Sequence, residues 1–194
     1  MKKIDGVILA GGQATRMGGA DKGLIQLNGR PLYRYVFDVL APQVHNIAIS
    51  ANRNQALYSE SGIHVFSDTL PGFFGPLAGM LSGLESMQNE WVTFVPCDVP
   101  FVPADIVERL WQGRDNALAA YIDDGERGHP TIALLHRSLA ANLRHYLEQG
   151  ERKLMLFLEG EGAKRVTYPR PECFINFNTP EDCLRVEQQL RNKS

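Results

Sequence analysis

Glycine and basic side chains, the residues best suited to holding phosphate, are concentrated in one stretch near the N-terminus. Leu9-Ala10-Gly11-Gly12-Gln13-Ala14-Thr15-Arg16-Met17-Gly18-Gly19-Ala20-Asp21-Lys22 carries four glycines. They permit positive φ angles and close backbone approach, so that amide N–H groups can converge on phosphate oxygens. Arg16 can fork onto two such oxygens, while Lys22 supplies a compact point charge. Neither familiar phosphate loop is present. Lys22 follows Asp21 and precedes Gly23, unlike a Walker A lysine, and no Gly-x-Gly-x-x-Gly string occurs. The plainer reading is a flexible loop whose charges face water.

Further candidates lie downstream. Trp91–Val95 has the pattern of a buried strand and runs into Pro96-Cys97-Asp98, which puts Asp98 at the carboxyl edge of a sheet, where open α/β folds bind ligands. A carboxylate beside a triphosphate suits Mg²⁺, which takes one or two carboxylates with phosphate oxygens and waters; a helix N-cap is the alternative. Asp68 follows the strand Ile63–Phe66 at the same edge. It could accept from guanine N1–H and N2–H or from ribose hydroxyls, or simply be solvated. Asn176 and Asn178, two apart in an expected short strand, share a face, and their amides can ligate a metal or donate to phosphate; turn-making before a final helix is the plainer role. Gly75 and Gly79 would allow close approach of a ring system, with Phe73 and Phe74 as a lid or as core cover. Arg152 and Lys153 offer cations for an anionic acceptor or for solvent. The histidines show no metal spacing, Cys97 reads as packing, and no hydrolase triad is present.

These residues need a scaffold of alternating strands and helices. Short β-branched runs (Gly6–Ala10, Asn46–Ala51, Ile63–Phe66, Trp91–Val95) alternate with amphipathic stretches near 31–40, 55–60 and 76–87, the pattern of a parallel sheet covered by helices. Pro31 suits a first helical position. Further on, 103–111 and 138–147 read as helices. Strands 117–122 and 131–135 should pair antiparallel across Asp123-Asp124-Gly125-Glu126. Thr179 caps a last helix opened by Pro180. With 194 residues, 44% apolar and 22% charged, one α/β domain is expected. A net charge of −2 excludes bulk binding to nucleic acid or anionic lipid. No apolar run reaches the ~20 residues of a membrane span. Asp5 breaks the apolar start, so a first strand is expected there rather than a leader peptide. Three cysteines without Cys-x-x-Cys spacing point to a reduced, cytoplasmic chain.

The loop motif resembles the signature of nucleotidyltransferases that join a nucleoside triphosphate to a phosphorylated acceptor. With Gly75-Pro76-Leu77-Ala78-Gly79, Pro96-Cys97-Asp98-Val99-Pro100, His129-Pro130-Thr131-Ile132-Ala133-Leu134 and Asn176-Phe177-Asn178-Thr179-Pro180, the chain is similar to the bacterial molybdenum cofactor guanylyltransferase family over nearly its whole length. The resemblance implies a three-layer α/β sandwich of the nucleotide-diphospho-sugar transferase type, Rossmann-like, with a mostly parallel sheet. Its N-terminal half would bind nucleotide and its C-terminal half the acceptor. The implied activity is transfer of GMP from GTP to the terminal phosphate of molybdenum-molybdopterin, with release of pyrophosphate. Lys22, Arg16 and Asp98 would be catalytic, and Asp98 would hold Mg²⁺. Leu9, Ala10, Gly11, Gly12, Lys22, Asp68, Gly79 and Asp98 would bind nucleotide; Asn176, Asn178, Arg152 and Lys153 would bind the acceptor. Expected partners, for a monomer, are molybdenum-insertion proteins and recipient molybdoenzymes or their chaperones. The chain departs from the family at Ser50, often asparagine, and at Lys153, often arginine. Cytidylyl transfer, sugar-phosphate nucleotidyl transfer and a non-catalytic cofactor-binding adaptor are the alternatives.

Overall fold

Along β1 (Ile4–Leu9) successive side chains point to opposite faces, and both faces are apolar: Ile4 and Ile8 join one buried cluster, Val7 and Leu9 the other. A strand buried on both sides must lie inside a sheet with helices on each face. The computed structural model has that arrangement and describes residues 3–11, 21–72 and 75–191. Gly12, Arg16, Phe73 and Phe74 lie outside the described residues.

After β1 come a two-residue hairpin, β2 (Gln26–Leu27) and β3 (Arg30–Pro31), then α1 (Leu32–Leu40), β4 (Ile47–Ser50), α2 (Gln55–Ser59), β5 (His64–Phe66), α3 (Pro76–Ser86) and β6 (Trp91–Pro96). The second half adds α4 (Ile106–Gly113), β7 (Ala119–Asp123), β8 (Gly128–His136), α5 (Ala140–Glu148), α6 (Leu154–Gly160), β9 (Lys164–Thr167) and α7 (Pro180–Arg191). Seven strands form one sheet in the order β5-β4-β1-β6-β8-β7-β9. Only β8 runs antiparallel to its neighbours. One face carries α1, α2 and α4 around Tyr33, Val36, Tyr58, Ile106 and Leu110. The other carries α3, α5 and α6 around Met80, Leu81, Leu143 and Phe157. Three layers result, as expected. Chain order reverses between β1 and β6, so a crevice opens at their carboxyl ends.

Several local expectations need correction. Pro31 ends β3 with ψ 144° and α1 starts one residue later, so it precedes the helix rather than opening it. Asn28 (φ 49°) and Gly29 (φ 72°) build the β2–β3 turn, the positive-φ pair that a two-residue hairpin demands. Residues 175–178 form no strand: a 3₁₀ turn, Pro171–Phe174, leads into an irregular extended segment. Helix α6 and edge strand β9, parallel to β7, were not foreseen. The antiparallel β7–β8 pair and the final helix are as expected; Thr179 Oγ1 accepts from the Asp182 N–H at 3.0 Å, while Asp182 accepts from the Thr179 N–H. All three cysteines are free and buried. Among the described residues no helix is long and apolar enough to cross a membrane.

At the edge remote from the crevice, Asp5 is fully buried. Oδ1 accepts from the backbone and side-chain amides of Asn46 and from Asn89 Nδ2, and Oδ2 accepts from the Asn89 N–H. One carboxylate therefore ties down the segments leading into β4 and β6. Replacing it strands several buried donors, a costlier loss than a single hydrogen bond. Asp5→Ala is expected to lower unfolding stability by about 3 kcal/mol in urea titrations, with little change in ligand binding at the opposite edge.

Candidate active site

Two strand ends and one turn build the centre of the crevice. The Cys97 N–H donates to the Leu9 carbonyl and the Ala10 N–H to the Ser50 carbonyl, so the chain leaving β1 is clamped between β4 and β6. Asp98, just past β6, emerges beside it with 8% of its side chain exposed. From across the crevice comes the turn Lys22–Leu24, a single 3₁₀ turn capped by the Asp21 carboxylate. Lys22 Nζ donates to Asn178 Oδ1 at 2.6 Å and stands 3.6 Å from Asp98 Oδ2. Asn176 Nδ2 donates to Asp98 Oδ1 at 3.2 Å, and the Phe177 N–H donates to the Asp98 carbonyl at 2.8 Å. The two asparagines thus reach one cluster, as anticipated, although the strand invoked to align them is absent. Asp98 is no helix cap, because α4 begins only at Ile106.

A second group sits on the β4–β5 side. Asn52 Nδ2 donates to Asp68 Oδ2 at 2.7 Å, and the Asp68 N–H donates back to Asn52 Oδ1 at 2.9 Å. This reciprocal pair fixes the carboxylate's direction, and among the described residues no hydrogen bond reaches Oδ1. Burial raises the Asp68 pKa above its ordinary value, and the Asn52 hydrogen bond partly offsets this. Gly11 lies alongside: a β-carbon there would be 3.6 Å from Asn52 Nδ2. Leu9, Ala10 and Gly11 therefore run between the Asp68 group and the Lys22–Asp98 group.

Other expected site residues have local roles. Gly79 is buried in α3, and a β-carbon there would lie 2.9 Å from Ser50 Oγ and 3.1 Å from Leu9 Cδ2. Its bareness lets α3 close on the sheet. It also explains Ser50, whose short buried side chain fills the space beneath. Arg152 Nη1 donates to the carbonyls of Leu147 and Glu151, at the end of α5. Lys153 precedes α6 with its side chain exposed, and its carbonyl accepts from Tyr146. Met155, in the first turn of α6, lies against Gly128 where β8 begins, so this junction belongs to the crevice edge. Gly75, with φ 60°, precedes α3 in a conformation that favours glycine.

For a cation, the donor chemistry fits. Among the described residues, the buried Asp98 carboxylate has one hydrogen-bond donor on Oδ1 and an ammonium beyond hydrogen-bond distance on Oδ2. Two amide side chains stand close by. A single carboxylate with neutral oxygens suits a hard divalent ion that draws its remaining ligands from phosphate and water. No cluster of three or more His, Cys, Asp or Glu that could cage a metal occurs among the described residues.

Sequence reasoning missed a buried pair beside the site. His129 Nε2 lies 2.6 Å from Asp124 Oδ2, and the His129 ring packs on Phe174 at 5.2 Å, just before the asparagine segment. Asp124 Oδ1 also accepts from the N–H groups of Glu126 and Arg127. The acidic turn between the strands is the available signal, but nothing in it announces the pairing of Asp124 with His129.

A mostly parallel sheet with a lysine and a buried carboxylate at its switch point is an arrangement suited to an α/β nucleotidyltransferase. The pattern of the MobA-like NTP transferase domain matches residues 6–164, and the chain belongs to that family. It is 60% identical over 189 residues to the molybdenum cofactor guanylyltransferase of Serratia proteamaculans, spanning 97% of this chain and 96% of that protein. It is 56% identical over 191 residues to the Yersinia pestis protein of the same name, with 98% of each covered. Among solved structures, molybdopterin-guanine dinucleotide biosynthesis protein A from Archaeoglobus fulgidus superposes with a TM-score of 0.76 at 23% identity, over 97% and 99% of the two chains. CMP:2-keto-3-deoxy-manno-octonic acid synthetase complexed with CTP gives 0.77 at 15% identity, over 100% of both. Identities this low establish the shared fold.

Burial raises the Asp124 pKa, but the His129 hydrogen bond and the two backbone donors outweigh it and bring the group to about 2 from an ordinary 3.8. A depressed carboxylate stabilises the fold above its unfolded pKa and loses that contribution as pH falls through its folded value. Stability should therefore fall between pH 4 and 2. In Asp124→Asn that slope should flatten and the protein should already be weaker at pH 7, as read by denaturant titrations across pH.

Proposed function

We propose that this chain transfers the guanylyl group of GTP to the terminal phosphate of molybdopterin, forming the guanine dinucleotide and pyrophosphate. The observation that carries the reading is the Lys22 ammonium set between Asn178 and Asp98 at the crevice; the near-full-length likeness to named guanylyltransferases supports it. An oxygen of the acceptor phosphate attacks the α-phosphorus of GTP. The bond from that phosphorus to the oxygen bridging to the β-phosphate breaks, and pyrophosphate leaves with the electron pair. A phosphate monoester has a second pKa of ~6, so the nucleophile is already an anion at neutral pH and needs no strong general base. The main obstacle is repulsion between two polyanions.

Lys22 offsets that repulsion, and Gly11 with Gly12 and Arg16, whose sites follow from the loop sequence, cradles the triphosphate. Positioning and electrostatics do the work. The Asp68 carboxylate, held by Asn52 through Oδ2, would accept from guanine N1–H and N2–H, a donor pair that cytosine lacks. Asn176 and Asn178 face the acceptor, and Arg152 and Lys153 extend that side. Nucleotidyltransferases generally use a divalent metal; Asp98 with the two asparagines would hold magnesium here, and the bound ion would neutralise charge on the phosphates. The N-terminal half serves the nucleotide and the C-terminal half the acceptor within one domain. We extend the reading to a cytoplasmic monomer that receives its substrate from molybdenum-insertion proteins and hands its product to recipient molybdoenzymes or their chaperones.

Incubation with labelled GTP, magnesium and molybdopterin tests the proposal, with CTP as control; absence of a guanine dinucleotide refutes it. Lys22→Ala should lower kcat/KM by roughly 100-fold while circular dichroism shows an unchanged fold. Asp98→Asn should retain partial GTP binding in thermal-shift assays and lose most of its magnesium-dependent turnover; normal magnesium dependence would place the ion elsewhere.

A further inference from the structure

Lysine has a long, flexible side chain, so an ammonium that must meet phosphate at one place needs its backbone held. Around Lys22 the holding comes from an element outside the loop motif. Tyr58, in α2, is fully buried with its ring edge against Tyr33 at 5.0 Å. Its hydroxyl donates to Asp21 Oδ1 at 2.5 Å. The same oxygen accepts from the Gly23 N–H at 3.2 Å, and Asp21 Oδ2 accepts from Asn54 Nδ2 at 3.2 Å. Burial, reinforced by the neighbouring Cys97 and Asp21, raises the phenol pKa, so the hydroxyl keeps its proton and remains a donor.

Gly23 completes the contact. A β-carbon there would lie 2.4 Å from the Tyr58 hydroxyl oxygen and 3.3 Å from Cys97 Cβ and Sγ. The turn is therefore wedged between the phenol and the residue adjoining Asp98. Its position fixes how far the Lys22 backbone stands from the carboxylate. The network has an electrostatic side as well. Asp21 is an acid next to a lysine that must attract a polyanion. Tyr58 and Asn54 hold its carboxylate toward α2, and the Gly23 N–H ties the same carboxylate to the turn. A phenylalanine would fill the ring's space equally well, and the Tyr58 hydroxyl finds its partner in Asp21.

We infer that Tyr58 is a positioning residue for the transfer reaction: through Asp21 it fixes the Asp21–Leu24 turn and so sets the Lys22 ammonium against Asp98 and Asn178. The inference rests on the reading of Lys22 as a triphosphate-binding residue. Misplacing a binding group by about 1 Å costs up to roughly 100-fold in rate.

The test compares Tyr58→Phe with Tyr33→Phe, which removes a hydroxyl from the same aromatic pair and leaves the turn's anchor intact. Tyr58→Phe is expected to lower kcat/KM for GTP by roughly 10- to 100-fold, with KM for the acceptor within about twofold. Amide hydrogen exchange at Gly23 should accelerate in parallel, and Tyr33→Phe should change neither. A purely structural Tyr58 would lower the melting temperature while leaving kcat/KM at the wild-type level below the melt. Faster exchange without a kinetic loss, or a kinetic loss without faster exchange, overturns the inference. Asn54→Gly, which tolerates the φ of 52° at that site and removes the second donor, should give a smaller effect of the same kind. It keeps the test open should Tyr58→Phe fold poorly. If the wild-type protein makes no product from GTP and molybdopterin, the proposed function fails. Exchange at Gly23 and calorimetric binding of magnesium pyrophosphate then decide the inference: weaker binding with faster exchange in Tyr58→Phe supports it, and unchanged values overturn it.

Discussion

Two phosphate anions can approach within bonding distance only where fixed positive charge offsets their repulsion, and in the proposed reaction Lys22 would supply it from a turn on one side of the crevice. Lys22 stands 3.6 Å from Asp98, close enough for attraction and too far for a hydrogen bond. A lysine driven fully onto its acid would have little left for a ligand. The Asn178 carbonyl oxygen, 2.6 Å away, takes the ammonium's direct hydrogen bond without matching its charge. The ammonium therefore stays electrostatically available, with 46% of the Lys22 side chain exposed.

Much of this was legible in the sequence because it follows from local pattern. Trp91–Val95 reads as a doubly buried strand, so the place of Asp98 at the sheet edge follows from chain direction alone. The alternation of short apolar runs with amphipathic stretches gives the three layers, and Asp123–Glu126 gives the antiparallel turn. Asn28-Gly29 carried an equally local hairpin signal that went unread. Helix α6 was missed because Leu154–Gly160 is a single short run that periodicity separates poorly from strand. Edge strand β9 was missed because three of its four residues are exposed and show no apolar run.

What local pattern cannot supply is partnership across the fold. Nothing near Asp5 in sequence announces that Asn46 and Asn89 will converge on it. Asp21 looked like a residue that spoils a Walker motif, yet Tyr58, 37 positions away, makes it an anchor. Asn176 and Asn178 reach the Lys22–Asp98 group without the expected strand: the Phe177 hydrogen bond to the Asp98 carbonyl aligns them rather than a sheet ladder. The room that Gly79 leaves is occupied by Ser50. In each case the partner lies far off in sequence.

The buried carboxylates show why one of them suits a cation. Asp5 accepts four hydrogen bonds. Asp124 accepts from two backbone amides and faces His129. Asp123 accepts from the Gly125 N–H and pairs with Arg165. Burial penalises the charged form of each, and hydrogen bonds or a counter-ion offset that penalty. Asp98 is buried like these, but among the described residues its carboxylate has a single hydrogen-bond donor, at 3.2 Å, with Lys22 outside hydrogen-bond range. Such a group is stable at a crevice only if the remaining compensation can arrive from solvent or with a ligand. Asp5 and Asp124 are held by several donors of their own chain; Asp98 stands where the strand order reverses, with a single donor among the described residues.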